Sequence, residues 1–418
     1  MKNYKKIYAA FILAGGLILH GCNGIFDDLS INPNQPSMGA YFTSPSAVND
    51  AVMTMYGYMS TQRCLGASGS KTTIIRSDEA SSNSDYGKPG MFGADLNASY
   101  YTIEQPYTLM YTTASQASYI IETAPSVDFS GNEELRNAYM GEAYFWRAFA
   151  HYYLLINFRN ISPIRQMPRN GDDYVRPLEK PAAVWNFIQE DLAHAKELLP
   201  VKGYWDSKNA GRVTKASAAA LLGKAYLYRS GIEQYYGEDK TTFYSEAAKE
   251  FGDVIDGKYG TYDLTKNYAD NFDVAHENNE ESILEFQFLG DVDNAGFNPG
   301  LATSGLAFDS RGLMLPGAGV GYEGVVHNWL YNAFVNSIDK DGYTDIRMFS
   351  TMIFNDLDAS IHLRNDAGGN PVRLEGPGGY KWEELYPAKN GKEGFATVSN
   401  PLAHSFKAGI RKGIDCSM

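Results

Sequence analysis

Leu135, Ala138, Glu142, Phe145, Phe149, Tyr152 and Ile156 are separated by 3, 4, 3, 4, 3 and 4 residues. That spacing returns every one of them to the same side of an α-helix and fits no strand. No other pattern in the chain restricts its fold as much. Six of the seven are apolar, so the stripe is expected to be buried. Tyr139, Tyr144, Trp146 and Tyr153 lie off the stripe, which suits a helix packed on more than one side. Glu142 is the one acid on it. It is either a buried acid with a raised pKa or, the weightier reading, a structural group that pairs with a cation such as Arg147 or caps a neighbouring backbone.

The same periodicity places further helices on either side. Ser44-Pro45 combines a capping hydroxyl with proline at the first helical position, and Val48, Val52, Met55 and Met59 follow at helical spacing. A second helix is expected over about Tyr107 to Glu122. A fourth starts at Pro181, turns Val184, Phe187, Ile188, Leu192, Ala195 and Leu199 inward, and stops at Leu199-Pro200. A fifth begins after Thr214 and carries Ala218, Leu221, Leu222, Ala225 and Tyr228 inward. A sixth covers about Thr241 to Asp256 and ends before Gly257. Helices of this length with modest connections form antiparallel hairpins, so the expected fold is mainly α, with tetratricopeptide-like helical hairpins, an irregular loop-rich ligand-binding face and few short strands. Ile283 to Phe288 alternates like one such strand.

Two stretches break the rhythm: Arg76 to Tyr101, rich in Ser, Gly, Asn and Asp, and Phe288 to Val326, rich in Gly. Loops of this length in a compact domain carry function more often than structure. Aromatic residues in them have no packing reason to be there. Tyr86, Phe92 and Tyr322, with Ser82, Asn83, Asp85 and nearby Trp329, are therefore the candidate ligand contacts. The 30 Tyr in the chain fit the same chemistry, because a phenol offers an apolar face for a sugar ring and a polar tip for its hydroxyls.

Other chemistries find little support. A net charge of −13 disfavours nucleic-acid binding, which needs clustered Lys and Arg. Cys22, Cys64 and Cys416 are too few and too far apart for a disulfide framework or a zinc site. The Gly319 to Gly324 stretch matches a dinucleotide fingerprint in letters only, since no strand precedes it. Asp291-Val292-Asp293 opens like a calcium loop, but Ala295 and Ala302 stand where ligands belong, so no cofactor is expected and only an irregular loop-bound calcium stays open. There is no G-x-S-x-G elbow, and nothing selects a catalytic carboxylate pair, so the chain is not expected to be an enzyme.

The N-terminus reads as an address. Lys2, Lys5 and Lys6 precede a thirteen-residue apolar run, Ile7 to Leu19, too short for a permanent membrane span. Leu19-His20-Gly21-Cys22 then resembles a lipobox, which makes residues 1–21 a signal peptide and Cys22 the lipidation site. Residues 22–38, with Asn32-Pro33-Asn34 and Gln35-Pro36-Ser37, form a tether; 39–287 form the helical scaffold and 288–418 a second, loop-rich region.

Several segments, taken in order, resemble the SusD/RagB family of surface glycan-binding lipoproteins. They are Phe26-Asp27-Asp28 with Asn32-Pro33-Asn34 after the lipobox, Gly141 to Ala148, Val184 to Pro200, Gly211 to Lys215, and Asp345-Ile346-Arg347. The resemblance implies a tetratricopeptide-like scaffold, an outer-membrane location through an acyl (palmitate-type) anchor, and delivery of oligosaccharide to a SusC-like TonB-dependent transporter. A surface glycoside hydrolase and a non-binding gating partner of that transporter are the alternatives. The family's glycan contacts sit in variable loops, so none is carried over by residue. Family members usually continue past the region of Ile410, and the tail ending at Met418 is expected to be truncated, with Cys416 incidental.

Overall fold

The computed structural model describes residues 42–61, 63–66, 76–81, 98–167, 175–237, 240–272, 276–287, 325–345, 347–353, 362 and 404–405. Six helices make the body: α1 (Pro45–Ser60), α2 (Tyr101–Thr123), α3 (Glu133–Phe158), α4 (Pro181–Leu198), α5 (Lys215–Tyr236) and α6 (Tyr244–Ile255). Their ends follow from local chemistry. The Ser44 side chain accepts from the Ala47 N–H at 3.3 Å with Pro45 in the first turn. Asn132 Oδ1 accepts from the Leu135 N–H at 3.1 Å, and Glu133 and Glu134 face the positive end of the α3 dipole. Thr214 and Ser217 form a capping box on α5, which stops at Gly237 in the left-handed conformation, φ 70°.

Consecutive helices pack against each other, α2 on α3, α3 on α4, α4 on α5 and α5 on α6, while α1 lies against α2 and α3. This is the expected stack of tetratricopeptide-like hairpins. The α3 helix is its axis: every residue from 141 to 155 except Tyr144 is buried. Trp146 stands edge-on to Tyr56 (4.9 Å between centroids), Phe145 (5.1 Å) and Phe149 (5.6 Å). Gly141 lets α3 approach the end of α4, since a Cβ there would lie 2.8 Å from Leu199 Cγ and 3.0 Å from the Leu199 nitrogen.

Four details differ from the sequence reading. The α2 helix starts at Tyr101, six residues before the expected Tyr107, because Pro106 falls just past the first turn, where it removes a single backbone bond and does not end the helix. Ile156, last on the α3 stripe, is 38% exposed, and so is Tyr228 on α5. Both belong to helix ends that border a cavity rather than the core. Ile283–Gln287 is not a strand. Its alternation does bury Leu284 and Phe286, but the segment runs against the Gly211–Ser217 turn with no strand partner, and Ser217 Oγ donates to the Ile283 carbonyl at 3.1 Å. Glu142 pairs with Arg212, not Arg147. Five residues along a helix turn through about 500°, which leaves Arg147 about 140° round from Glu142.

Beyond the helices, two-residue strands form an antiparallel sheet in the order β1 (Ala80–Ser81), β2 (Val325–Val326), β4 (His404–Ser405), β3 (Met352–Ile353). Helix α7 (Asn328–Asn336) follows β2 and the four-residue α8 (Met348–Thr351) precedes β3. Among the described residues no helix is long and apolar enough to cross a membrane.

Candidate binding site

Three of the family-resembling segments, Gly141 to Ala148, Val184 to Pro200 and Gly211 to Lys215, meet in the core, where they hold the scaffold. Glu142, fully buried, accepts from Arg212 Nε at 2.9 Å and from the Tyr56 hydroxyl at 2.7 Å. Tyr56 in turn accepts from the Val213 N–H at 2.9 Å, and Arg212 Nη1 reaches Asn49 Oδ1 at 2.8 Å. Burial pushes the Glu142 carboxyl up, and the hydrogen bonds and charge of Arg212 oppose it. Arg147 makes the matching bidentate pair with Asp191 on α4, both bonds 2.7 Å, and donates to the Arg165 carbonyl at 2.8 Å. Asp345 and Arg347 pair with each other within one turn, Nε to Oδ1 at 3.0 Å. Glu142 and Asp191 each have an arginine partner, as buried charges must, so these groups tie helices together.

The candidate ligand contacts follow a different logic. Ser82, Asn83, Asp85, Tyr86, Phe92 and Tyr322 lie outside the described residues. Trp329 is described: it sits in the first turn of α7, 48% exposed, and its indole N–H donates to the Asp78 carbonyl. The backbone around it joins the roots of both irregular stretches. Ala80 pairs with Val326 and Ser81 with Val325, and the His327 N–H donates to the Glu79 carbonyl at 2.9 Å. Two described segments about 245 residues apart in sequence are thus paired, with the Trp329 ring beside them.

A second concave feature was not legible in the sequence. A cavity of about 650 Å³ opens between the ends of α3 and α5 and the start of α6, lined by Ile156, Trp185, Tyr228, Tyr235, Tyr236 and Tyr244 among others. Arg159, just past α3, has φ 63° and ψ −73°, and the Asn160 N–H closes a γ-turn on the Phe158 carbonyl at 2.8 Å. That conformation is strained for a residue with a Cβ. It carries the guanidinium into a bidentate pair with buried Glu233, at 2.9 and 2.7 Å, and over the Tyr236 ring at 4.0 Å. Trp185 Nε1 donates to the same carboxylate at 2.8 Å. Only Gly237 after the Tyr235-Tyr236 pair marked this helix end in the sequence. Among the described residues no cluster of three His, Cys, Asp or Glu is placed to hold a metal ion.

A stack of helical hairpins braced by buried ion pairs, with a short sheet that pairs Ala80–Ser81 with Val325–Val326, defines a helical scaffold. Known proteins with similar sequence or fold are SusD-like. A SusD-like family model described as "Starch-binding associating with outer membrane" matches residues 28–227. A SusD-like protein of Bacteroides ovatus is 25% identical over 293 residues, 69% of this chain and 51% of that protein. The chain spans about half the length of the curated relatives it matches. A SusD superfamily protein from Bacteroides vulgatus superposes with a TM-score of 0.62 at 19% identity, covering 87% of this chain and 68% of the other. A laminarin binding SusD-like protein superposes with a TM-score of 0.56 at 21% identity, covering 71% and 65%. Residues 28–227 thus resemble SusD-like proteins in sequence, and the chain shares the fold of solved SusD superfamily structures.

Proposed function

We propose that this chain is a lipid-anchored cell-surface protein that captures oligosaccharide on its loop face and hands it to a SusC-like TonB-dependent transporter of the outer membrane, without cleaving it. The observation that carries the reading is the β1–β2 pairing, which joins the described ends of the two irregular stretches beside the half-exposed Trp329. Ser82, Asn83, Asp85, Tyr86, Phe92 and Tyr322 are the contacts proposed to complete that face. The similarity to a laminarin binding protein, and the family's description as associating with the outer membrane, support glycan as ligand and the outer membrane as location.

The test is titration with neutral oligosaccharides. Removing a stacking ring from a binding face costs about 1.4 kcal/mol or more, so Trp329→Ala is expected to weaken binding about tenfold. Trp329→Phe, which keeps an aromatic face and loses only the N–H to Asp78, is expected to retain most of it. The urea midpoint should move little in either variant. Equal affinity in wild type and Trp329→Ala overturns the assignment of this face, and release of shorter sugars during the titration selects the glycoside hydrolase instead.

A further inference from the structure

We infer that the cavity between the ends of α3, α5 and α6 is a second saccharide site, built to hold one neutral sugar ring against Tyr235, Tyr236 and Tyr244. The inference goes beyond the loop-face reading and stands on different residues, so either can fail alone. The cavity's size of about 650 Å³ suits one or two sugar units. Its wall presents phenol rings that stay exposed, Tyr236 with one face under the Arg159 guanidinium. Tyr235 is 85% exposed, Tyr236 57% and Tyr244 48%, and Tyr235 and Tyr236 stand at 87° to each other with centroids 5.3 Å apart. Two aromatic faces at a right angle form a corner that covers one face and one edge of a saturated ring, while the phenol hydroxyls meet its hydroxyls.

Charge at the tyrosine corner bears on the class of sugar. Among the described residues the cavity is lined by two arginines, Arg76 and Arg159, and by no lysine or carboxylate. Arg159 reaches its wall with its charge already matched, bidentately, by Glu233. A matched guanidinium offers little to a carboxylate or sulfate and still supplies N–H groups and a flat surface, so the tyrosine corner beside it suits a neutral ring. One further feature bears on the same wall: the backbone stores strain at Arg159 to place that guanidinium over Tyr236.

The experiment is calorimetric titration of the full chain with laminarihexaose, cellohexaose, maltohexaose, mannohexaose and an oligogalacturonate. The variants are Tyr235→Ala with Tyr244→Ala, both at exposed positions, and Trp329→Ala as the control for the other face. At least one neutral sugar is expected to bind wild type and to lose about tenfold in affinity, about 1.4 kcal/mol, in the double variant. Trp329→Ala should keep that binding event, and the melting temperature of the double variant should match wild type. Unchanged affinity of the double variant for every sugar overturns the inference. So does a preference for the oligogalacturonate, or the absence of any binding at millimolar sugar.

Discussion

His151 shows how burial makes a titratable side chain structural. Its Nε2 accepts from the Ile164 N–H at 2.9 Å, so the proton sits on Nδ1, which donates to the Arg147 carbonyl at 2.7 Å. The ring ties α3 to the strand-like exit after it, and only the neutral form can make both bonds. Burial lowers its pKa to about 3, with the positive charges of Arg147, Arg165 and Arg176 adding to the effect. An unfolded histidine titrates near 6.5, so between about pH 6.5 and 3 the unfolded chain binds the extra proton and stability falls as pH falls. The expected loss from this one group is roughly 2 kcal/mol between about pH 7 and pH 5. Urea unfolding of wild type and His151→Gln at both pH values isolates it: the acid sensitivity of the variant should be smaller by that amount, and an identical pH difference in the two proteins would refute the assignment.

Between elements, the closest approaches are set by missing side chains. Two glycines inside helices make opposite predictions. Gly57 in α1 has nothing within 4 Å of where a Cβ would stand, and Gly57→Ala should stabilise by about 0.5–1 kcal/mol through lost unfolded-state entropy. At Gly141 the added methyl would meet Leu199 side chain and backbone at 2.8 and 3.0 Å, and the backbone cannot swing away as a rotamer can. Gly141→Ala should therefore cost about 1–3 kcal/mol, read as a lower urea midpoint. Stabilisation by both substitutions would mean that α3 and the end of α4 are not in contact. These contacts also mark what the sequence could disclose. The helical spacing on α1, α3 and α4 is local, and so it was legible residue by residue. The alternation at Leu284 and Phe286 was legible too, but a strand needs a neighbour, and here the neighbour is a turn. The Glu142–Arg212 pair joins residues 70 apart, and the Tyr-lined cavity draws on four helix ends. Such meetings are fixed by tertiary packing and leave no period behind them. Arg159 is the extreme case: its positive φ falls on a residue type that gives no hint of it.

At the scale of the whole molecule, the proposed function requires something to hold an acidic body at a membrane. Removing residues 1–21, which carry three Lys and no acid, takes the formal net charge from −13 to −16. A surface of that sign is repelled by anionic headgroups and gains nothing from counterion exchange there. The attachment proposed for Cys22 is hydrophobic: about 0.8 kcal/mol per buried CH₂, with stable anchoring once more than one acyl chain is present. The two origins respond differently to salt. Electrostatic adhesion is released by high ionic strength, which shortens the Debye length to about 3 Å at 1 M, and acyl insertion is not. In membranes from the native host the protein should therefore stay in the pellet through a high-salt wash and leave it in detergent, and Cys22→Ala should appear in the soluble fraction. Release of the wild-type protein by salt alone would replace the lipid anchor with a protein partner at the membrane, and the transporter would then be the first candidate for what binds it.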